Sequence, residues 1–262
     1  MSEILLREDA GAVATLTLNN PTKLNALSEE MLAALHEQFA ALAEDTTIRV
    51  VILRGAGKAF CAGHDLREMS AARAAEDKGR KYFNDLFAHC AEMMISITKL
   101  PQPVIAEVHG IATAAGCQLV ASCDLAVAAE GTRFGVNGVN IGLFCSTPMV
   151  ALTRNIPTKQ AFEMLTTGEF VDADRAKEIG LINRVVPVEA LGVEAQALAE
   201  TIAGKLGAAV RIGKRAFYDQ LNLPLEAAYA HTGAVMAENM LHAQTEKGIA
   251  AFLDKRTHEW EQ

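Results

Sequence analysis

The stretch VIAEVHGIATAAGCQLVASCDLAVAAE, residues 104–130, constrains the fold more than any other part of the chain. VIAEVHG and DLAVAAE are short apolar runs bounded by turn residues, which is the signature of buried strands, and Gly110 ends the first. Between them lies a turn and the start of a helix made almost entirely of small residues. Strand, small-residue turn, helix and strand in succession alternate in the manner of an α/β fold. Gln118 breaks the pattern, because it sets a polar amide one helical turn inside this apolar run.

The rest of the chain follows the same plan. ILLRE and AVATLTL flank Asp9-Ala10-Gly11 and predict an opening hairpin. Ser28 stands at an N-cap position, Glu29 and Glu30 suit a first turn, and Met31, Leu35, Phe39 and Leu42 recur at helical spacing. IRVVILRG reads as a strand ending at Gly55, and one polar, Ala-rich helix is expected from after KAFCAGHDLREM to about Lys99. TRFGV follows DLAVAAE, and from Thr158 onward helical signals dominate. The class is α/β with a helical tail, divided near residue 190 into a core over 1–190 and a helical region over 191–262.

Charge and cysteine usage exclude several roles. A net charge of −8 argues against a broad nucleic-acid footprint, while leaving room for a local basic patch that holds a small anion. The five cysteines form no CxxC pair and no metal-ligand spacing, so reduced thiols, no metal and a cytoplasmic location are expected. The acidic, alternating start resembles neither a secretory signal nor an Arg-rich transit peptide. No apolar run reaches membrane-spanning length.

Two strand-to-helix turns carry the chemistry. Ala62-Gly63-His64-Asp65 presents backbone amides with little side chain in the way, and Ala114, Ala115 and Gly116 lie at a helix start, where unpaired N–H groups and the helix dipole favour negative charge. Two such turns facing each other would make an oxyanion hole, although either alone is a common structural feature.

NNPTKLNAL, RGAGKAFCAGHDL, VIAEVHGIATAAGCQLVASCDLAVAAE, RFGVNGVNIGLF and AFEMLTTGEFVDADRAKEIGLINRVVP occur in the order and spacing of the crotonase superfamily, which the chain resembles over nearly its whole length. GLFCSTP and AAGCQLVASCDL carry a closer likeness to its enoyl-CoA hydratase domain-containing members. The resemblance implies a spiral of ββα units, a C-terminal helical trimerisation region, homotrimers or dimers of trimers, and binding of acyl-CoA thioesters with no cofactor beyond the CoA moiety. It gives the thioester oxygen to the amides of Ala62 and Ala115. It places Lys23, Leu24, Ala26, Gly63, His64, Asp65, Leu66, Arg67, Gly116 and Cys145 along the ligand, with His64, Asp65 and Leu66 at the adenine end and Lys23 and Arg67 near phosphates. Phe252, Lys255 and Arg256 would join from the tail, across a subunit contact.

Against the family pattern, Gln118 and Gly138 stand where hydratases have two glutamates. An amide cannot accept and return a proton at neutral pH, so two-glutamate hydration is not available. Cys145 is the alternative proton-transfer or nucleophilic group, but it has no evident basic neighbour to activate it. Asn137 and Asn140 offer polarity without strong basicity; the resemblance makes Asp65 and Asp124 turn-fixing residues, and His109, before Gly110 at a strand end, is expected to satisfy local hydrogen bonds. The function implied is that of an enoyl-CoA hydratase/isomerase-type enzyme, with a catalytically impaired acyl-CoA-binding or regulatory protein as the alternative.

Overall fold

The structure is a computed structural model that describes residues 4–257 and 260. Strands β1 (Leu5–Ala10) and β2 (Val13–Leu18) form the expected hairpin, with Gly11 at φ +60° in its turn. The Ser28 hydroxyl accepts the Met31 N–H and caps α1 (Glu29–Glu44), a contact worth about 1 kcal/mol in typical helices. Strand β3 (Val50–Gly55) follows. The single helix expected up to Lys99 is two, α2 (Leu66–Ala72) and α3 (Arg80–Lys99). They are parted where Lys78 and Gly79 both take positive φ and the Asp77 carboxylate accepts the N–H groups of Gly79 and Lys81.

The chain continues through β4 (Val104–Val108), β5 (Ile111–Thr113), α4 (Ala115–Ser122), β6 (Leu125–Ala129), β7 (Arg133–Gly135), α5 (Pro148–Asn155) and α6 (Thr158–Thr167). After these come β8 (Val171–Asp172), α7 (Ala173–Glu178), β9 (Arg184–Val186) and the helices α8 (Leu191–Ala203), α9 (Gly207–Gln220), α10 (Leu225–Met240) and α11 (Ala243–Leu253). Strands β8 and β9 fall in the segment read as helical, because two or three residues are too few to show a period.

The larger sheet has the order β1-β2-β3-β4-β6-β9, parallel except for the opening hairpin. Its central strands are buried on both faces, which explains their unbroken apolar runs. Val51, Leu53, Val104, Ala106, Ala126 and Ala128 point into the main core with α1 and α3. Val50, Ile52, Ile105, Val127 and Ala129 alternate with them and meet Leu191, Leu198, Ala199 and Ala203 of α8 in a second core. Helix α8 therefore covers the sheet, and packing against the strands runs past the boundary expected near residue 190.

A smaller sheet, β5-β7-β8, lies beside the first, and Cys61 extends it by a parallel bridge to Ala112. Each turn of the spiral thus places a strand in the large sheet, a short strand or bridge in the small one, and then a helix. β3 with Cys61 and α2, β4 with β5 and α4, and β6 with β7 and α5 are successive copies of this ββα unit. The stacking matters for function, since the turns after Cys61, Thr113 and Gly135 become neighbours although they are some 20 to 50 residues apart in sequence.

Helix α9 is pinned to this core by a buried polar cluster. Lys214 Nζ donates to Ile97 O, Gln102 O and Asp124 Oδ2 at 2.7–2.9 Å, the Tyr218 hydroxyl donates to Asp124 Oδ1 at 2.8 Å, and the Val104 N–H donates to Asp124 Oδ2. Asp124, expected to fix a turn, instead anchors the start of β4 and helix α9 through side-chain contacts 20 to 94 residues away in sequence. Helix α10 buries none of its residues.

Candidate functional site

The turns after Cys61 and Thr113 are held by backbone pairing. Cys61 N–H donates to Ile111 O, and Thr113 N–H donates back to Cys61 O. Close approach requires Gly116, where a Cβ would lie 2.2 Å from Cys61 O, and a left-handed backbone at φ +88° favours Gly63, where a Cβ would lie 3.0 Å from Ala114 Cβ and 3.2 Å from Ala115 N. Ala114, at φ +50° and ψ −120°, donates its N–H to Gly135 O and turns the chain into α4, so Ala115 is the first helical residue.

The donors that remain open are not the expected pair. The Ala62 N–H donates to Leu24 O at 3.0 Å and has no hydrogen left for a ligand, which corrects its assignment as a thioester donor. The turn presents the next outward amide instead. The bridge between Leu27 and His64 uses Gly63 O as acceptor for Leu27 N–H and leaves the His64 N–H on the other side. Among the described residues no acceptor takes the N–H of His64 or of Ala115. Two neighbouring open amides, one at the positive end of α4, can polarise a carbonyl oxygen placed between them.

Leu24 serves this turn through the carbonyl that takes the Ala62 N–H, and Ala26 is buried two residues on. Leu24 and Asn25 take left-handed φ of 52° and 53°. The fully buried Asn25 side chain ties the segment down, accepting the Asn20 N–H and donating to Ala56 O and Ala59 O. Asp65 caps α2 by accepting the N–H groups of Arg67 and Glu68. It also pairs with Lys23 Nζ at 2.7 Å, and that partner, with the two N–H groups, holds its carboxyl below the usual range. Lys23 is therefore engaged within the chain, whereas Leu66 and Arg67 are exposed at the head of α2.

The His64 ring packs edge-on to Phe87 of α3, 5.7 Å between centroids, and burial lowers its pKa so that the neutral form prevails. Nδ1 lies 3.3 Å from Leu27 O, and the tautomer that donates there leaves Nε2 as an acceptor. Gln118 is 4 % exposed on α4, one turn from Ala115.

The third turn differs. Gly138 lies in a 3-10 turn over residues 137–141, and a Cβ there would fall 2.3 Å from Leu143 O and 2.8 Å from Cys145 Sγ. The place where the resemblance expects a glutamate side chain is filled by the chain's own loop. Cys145 is buried, and burial raises its thiol pKa although the Gly138 N–H opposes the shift, so a thiolate nucleophile is disfavoured. Cys117, in the same region, is pushed up to about 12 by burial. Asn137 Oδ1 accepts the Thr113 hydroxyl at 2.7 Å, which ties the third turn to the second, and Asn140 Nδ2 donates to Gly168 O at the end of α6. His109 Nε2 lies 2.8 Å from Gly57 O in the loop before Cys61.

Phe252 and Lys255 are not brought to these turns within one chain. Phe252 shares a cavity of about 350 Å³ with Lys205, Leu206, Ala209 and Trp260, at the junction of α8 and α9, and Lys255 follows in the turn that ends α11. Arg256 pairs with Asp254 at 2.8 Å. Sequence reasoning missed Met69 of α2 and Tyr82 and Phe87 of α3, which are partly buried and pack against the main core. The aromatic grouping KYFNDLF in an otherwise polar helix was the signal for the last two. Among the described residues no group of three His, Cys, Asp or Glu side chains could hold a metal ion, and no helix is long and apolar enough to cross a membrane.

Comparison with known proteins agrees with this architecture. The enoyl-CoA hydratase/isomerase family profile matches residues 8–262. The crystal structure of an enoyl-CoA hydratase from Mycobacterium smegmatis superposes with a TM-score of 0.96 at 56% identity, over all of both chains. That of human enoyl-CoA hydratase domain-containing protein 3 superposes at 0.93 and 41% identity, over 98% of this chain and 100% of the other. A mitochondrial protein of the same name from Danio rerio is 43% identical over 99% of this chain and 88% of its own length. Four further relatives, those of Rattus norvegicus and Homo sapiens among them, are also named mitochondrial. These relatives overturn the expected cytoplasmic location and point to a mitochondrial one. Unpaired thiols could not have distinguished the two, since all five here are free and buried. By the extent of these matches and by its spiral of ββα units, the chain belongs to the enoyl-CoA hydratase/isomerase family of the crotonase superfamily.

Proposed function

We propose that this chain binds acyl-CoA thioesters and polarises the thioester carbonyl between the backbone N–H groups of His64 and Ala115, stabilising an enolate-like state. Family membership supports a CoA thioester-binding enzyme. The observation that carries the finer reading is the pair of open amides on adjoining turns, with α4 directing its positive end at the same point. Loss of one such donor typically costs about 2.7–4 kcal/mol of transition-state stabilisation.

Proton transfer takes a different course from two-carboxylate hydration. Gln118 can orient a water or a substrate oxygen but cannot exchange a proton, and the loop behind Gly138 excludes an acid at the second position. This crowding also favours a second reading, in which the pocket binds acyl-CoA thioesters without hydrating them. Purified protein with crotonyl- to decenoyl-CoA separates the two. Turnover above background establishes an enzyme. Calorimetric binding with background rates establishes the second reading, and absence of both removes the acyl-CoA assignment.

Assembly completes the proposal. Leu225, Tyr229, Met236 and Met240 leave a large apolar surface on α10, fitting contacts between copies in a trimer or a dimer of trimers. The exposed Phe252 and Lys255 would then reach the CoA site of a neighbouring copy, with the core over 1–190 holding the ligand and the helices of 191–262 beyond α8 building the contact. Sedimentation equilibrium checks this, because a monomer at micromolar concentration excludes it.

A further inference from the structure

A cleft of about 590 Å³ lies between the end of α3, the loop that leads into β4, and α9. Three cations line it, Lys99 from the last turn of α3 and Arg211 and Arg215, one helical turn apart on α9. Among the described residues Lys99 and Arg211 have neither an ion pair nor a side-chain hydrogen bond, and both are exposed. Asp219, the carboxylate that lines the cleft, approaches Arg215 only to 3.7 Å and is shared with His231 at 4.0 Å. In a chain of net charge −8, positive charge is thus gathered at one concave place and left without a full counter-charge. Like charges held together repel, and an anion set among them removes that repulsion.

Beside the cations the lining turns apolar, with Leu100, Pro101 and the ring of Tyr218. That ring is fixed in place, because its hydroxyl donates to Asp124 Oδ1 at 2.8 Å. A bare phosphate would leave this wall and most of the volume unused, whereas the cleft is of the size that holds an organic ligand. Lys99 stands about 18 Å along α3 from Phe87, the residue packed on the His64 ring, so the cleft is separate from the open amides. We propose that it binds a nucleoside di- or triphosphate, with the phosphates among Lys99, Arg211 and Arg215 and the base against Tyr218 and Pro101. Guanidinium groups present paired N–H donors that match phosphate oxygens, and a base stacks on an aromatic ring whatever its identity. The proposal uses no residue of the acyl-CoA site and stands independently of that reading.

The test is equilibrium dialysis of the full chain against ATP, ADP and pyrophosphate, repeated with a Lys99→Ala/Arg211→Ala double variant and with Arg67→Ala. Both positions of the double variant are exposed, so its fold should be intact. ATP or ADP should bind about fivefold or more tighter than pyrophosphate, the margin a stacked base supplies. The double variant should weaken nucleotide binding about tenfold or more, as loss of charge-assisted hydrogen bonds does, and leave crotonyl-CoA affinity unchanged. Arg67→Ala, at the head of α2, should leave nucleotide binding unchanged. Absence of nucleotide binding, binding that survives the double variant, binding lost in Arg67→Ala, or pyrophosphate as tight as ATP each overturns the proposal. If ATP binds as expected and no CoA thioester does, the acyl-CoA reading falls and this site stands.

Discussion

The first two corners of the spiral keep a space that the third has closed. At Gly116 the backbones of adjoining turns approach so nearly that only glycine fits, and at Gly63 a left-handed backbone favours glycine, yet the approach leaves the amides of His64 and Ala115 without an acceptor. At Gly138 the same economy of side chain serves the opposite end, because Leu143 O and Cys145 Sγ occupy what a Cβ would need. On the proposed function the open amides would be the carbonyl-binding end of the site and the packed third corner its proton-transfer end. Polarisation of a thioester would then depend on backbone geometry that the fold itself enforces, and two-carboxylate proton transfer on side chains that Gln118 and Gly138 do not supply.

The contrast can be broken most severely at Gly116. Gly116→Ala drives a methyl group into Cys61 O and should cost about 1–3 kcal/mol of stability or more, with loss of thioester affinity, as read by urea denaturation and calorimetry. Gly138→Glu should be destabilising by a similar amount, about 1–3 kcal/mol, without gaining hydration of crotonyl-CoA. Gln118→Glu should fold but likewise gain no two-acid activity. A double variant that is stable and hydrates crotonyl-CoA would show that the third corner is open after all.

Asp65→Ala removes a cap and an ion pair behind the first corner and should cost about 1–2 kcal/mol. Because the folded carboxyl titrates below its ordinary value of 3.8, this contribution is complete above that pH and is lost as pH falls through the lowered folded value. Acid denaturation of the wild type should therefore be steeper than that of the variant in this window. Lys23→Met should have a smaller effect on the same denaturation curve, since the ammonium is half exposed and screened by solvent. The smallest signal is chemical. Cys145 should resist iodoacetamide at pH 7 in the folded protein and react on unfolding, and rapid native labelling would mean an activated thiolate at the closed corner.

Much of the fold was legible because its strands are buried on both faces. Val50 to Leu53 and Ala126 to Ala129 alternate between two cores, so each strand shows as an apolar run between turn residues. The glycine turns were legible for the same reason, and the family motifs located them. What could not be read is which amide of a turn is free. Ala62 and His64 differ only in that a carbonyl from residue 24, 38 positions earlier, takes one N–H and not the other. The crowding at Gly138 depends on how the loop 143–145 folds back, and the cluster of Asp124, Lys214 and Tyr218 joins residues some 90 positions apart. Such long-range pairings leave no local period in a sequence.

The most direct test is isotope-edited infrared spectroscopy of crotonyl-CoA labelled with 13C at the thioester carbonyl, free and bound to the protein. Donation from His64 and Ala115 together lengthens that bond, so the stretch should move to lower frequency on binding, and the shift should shrink in Ala115→Pro, which lacks the N–H. A bound thioester whose carbonyl absorbs at the frequency it has in water would contradict the account.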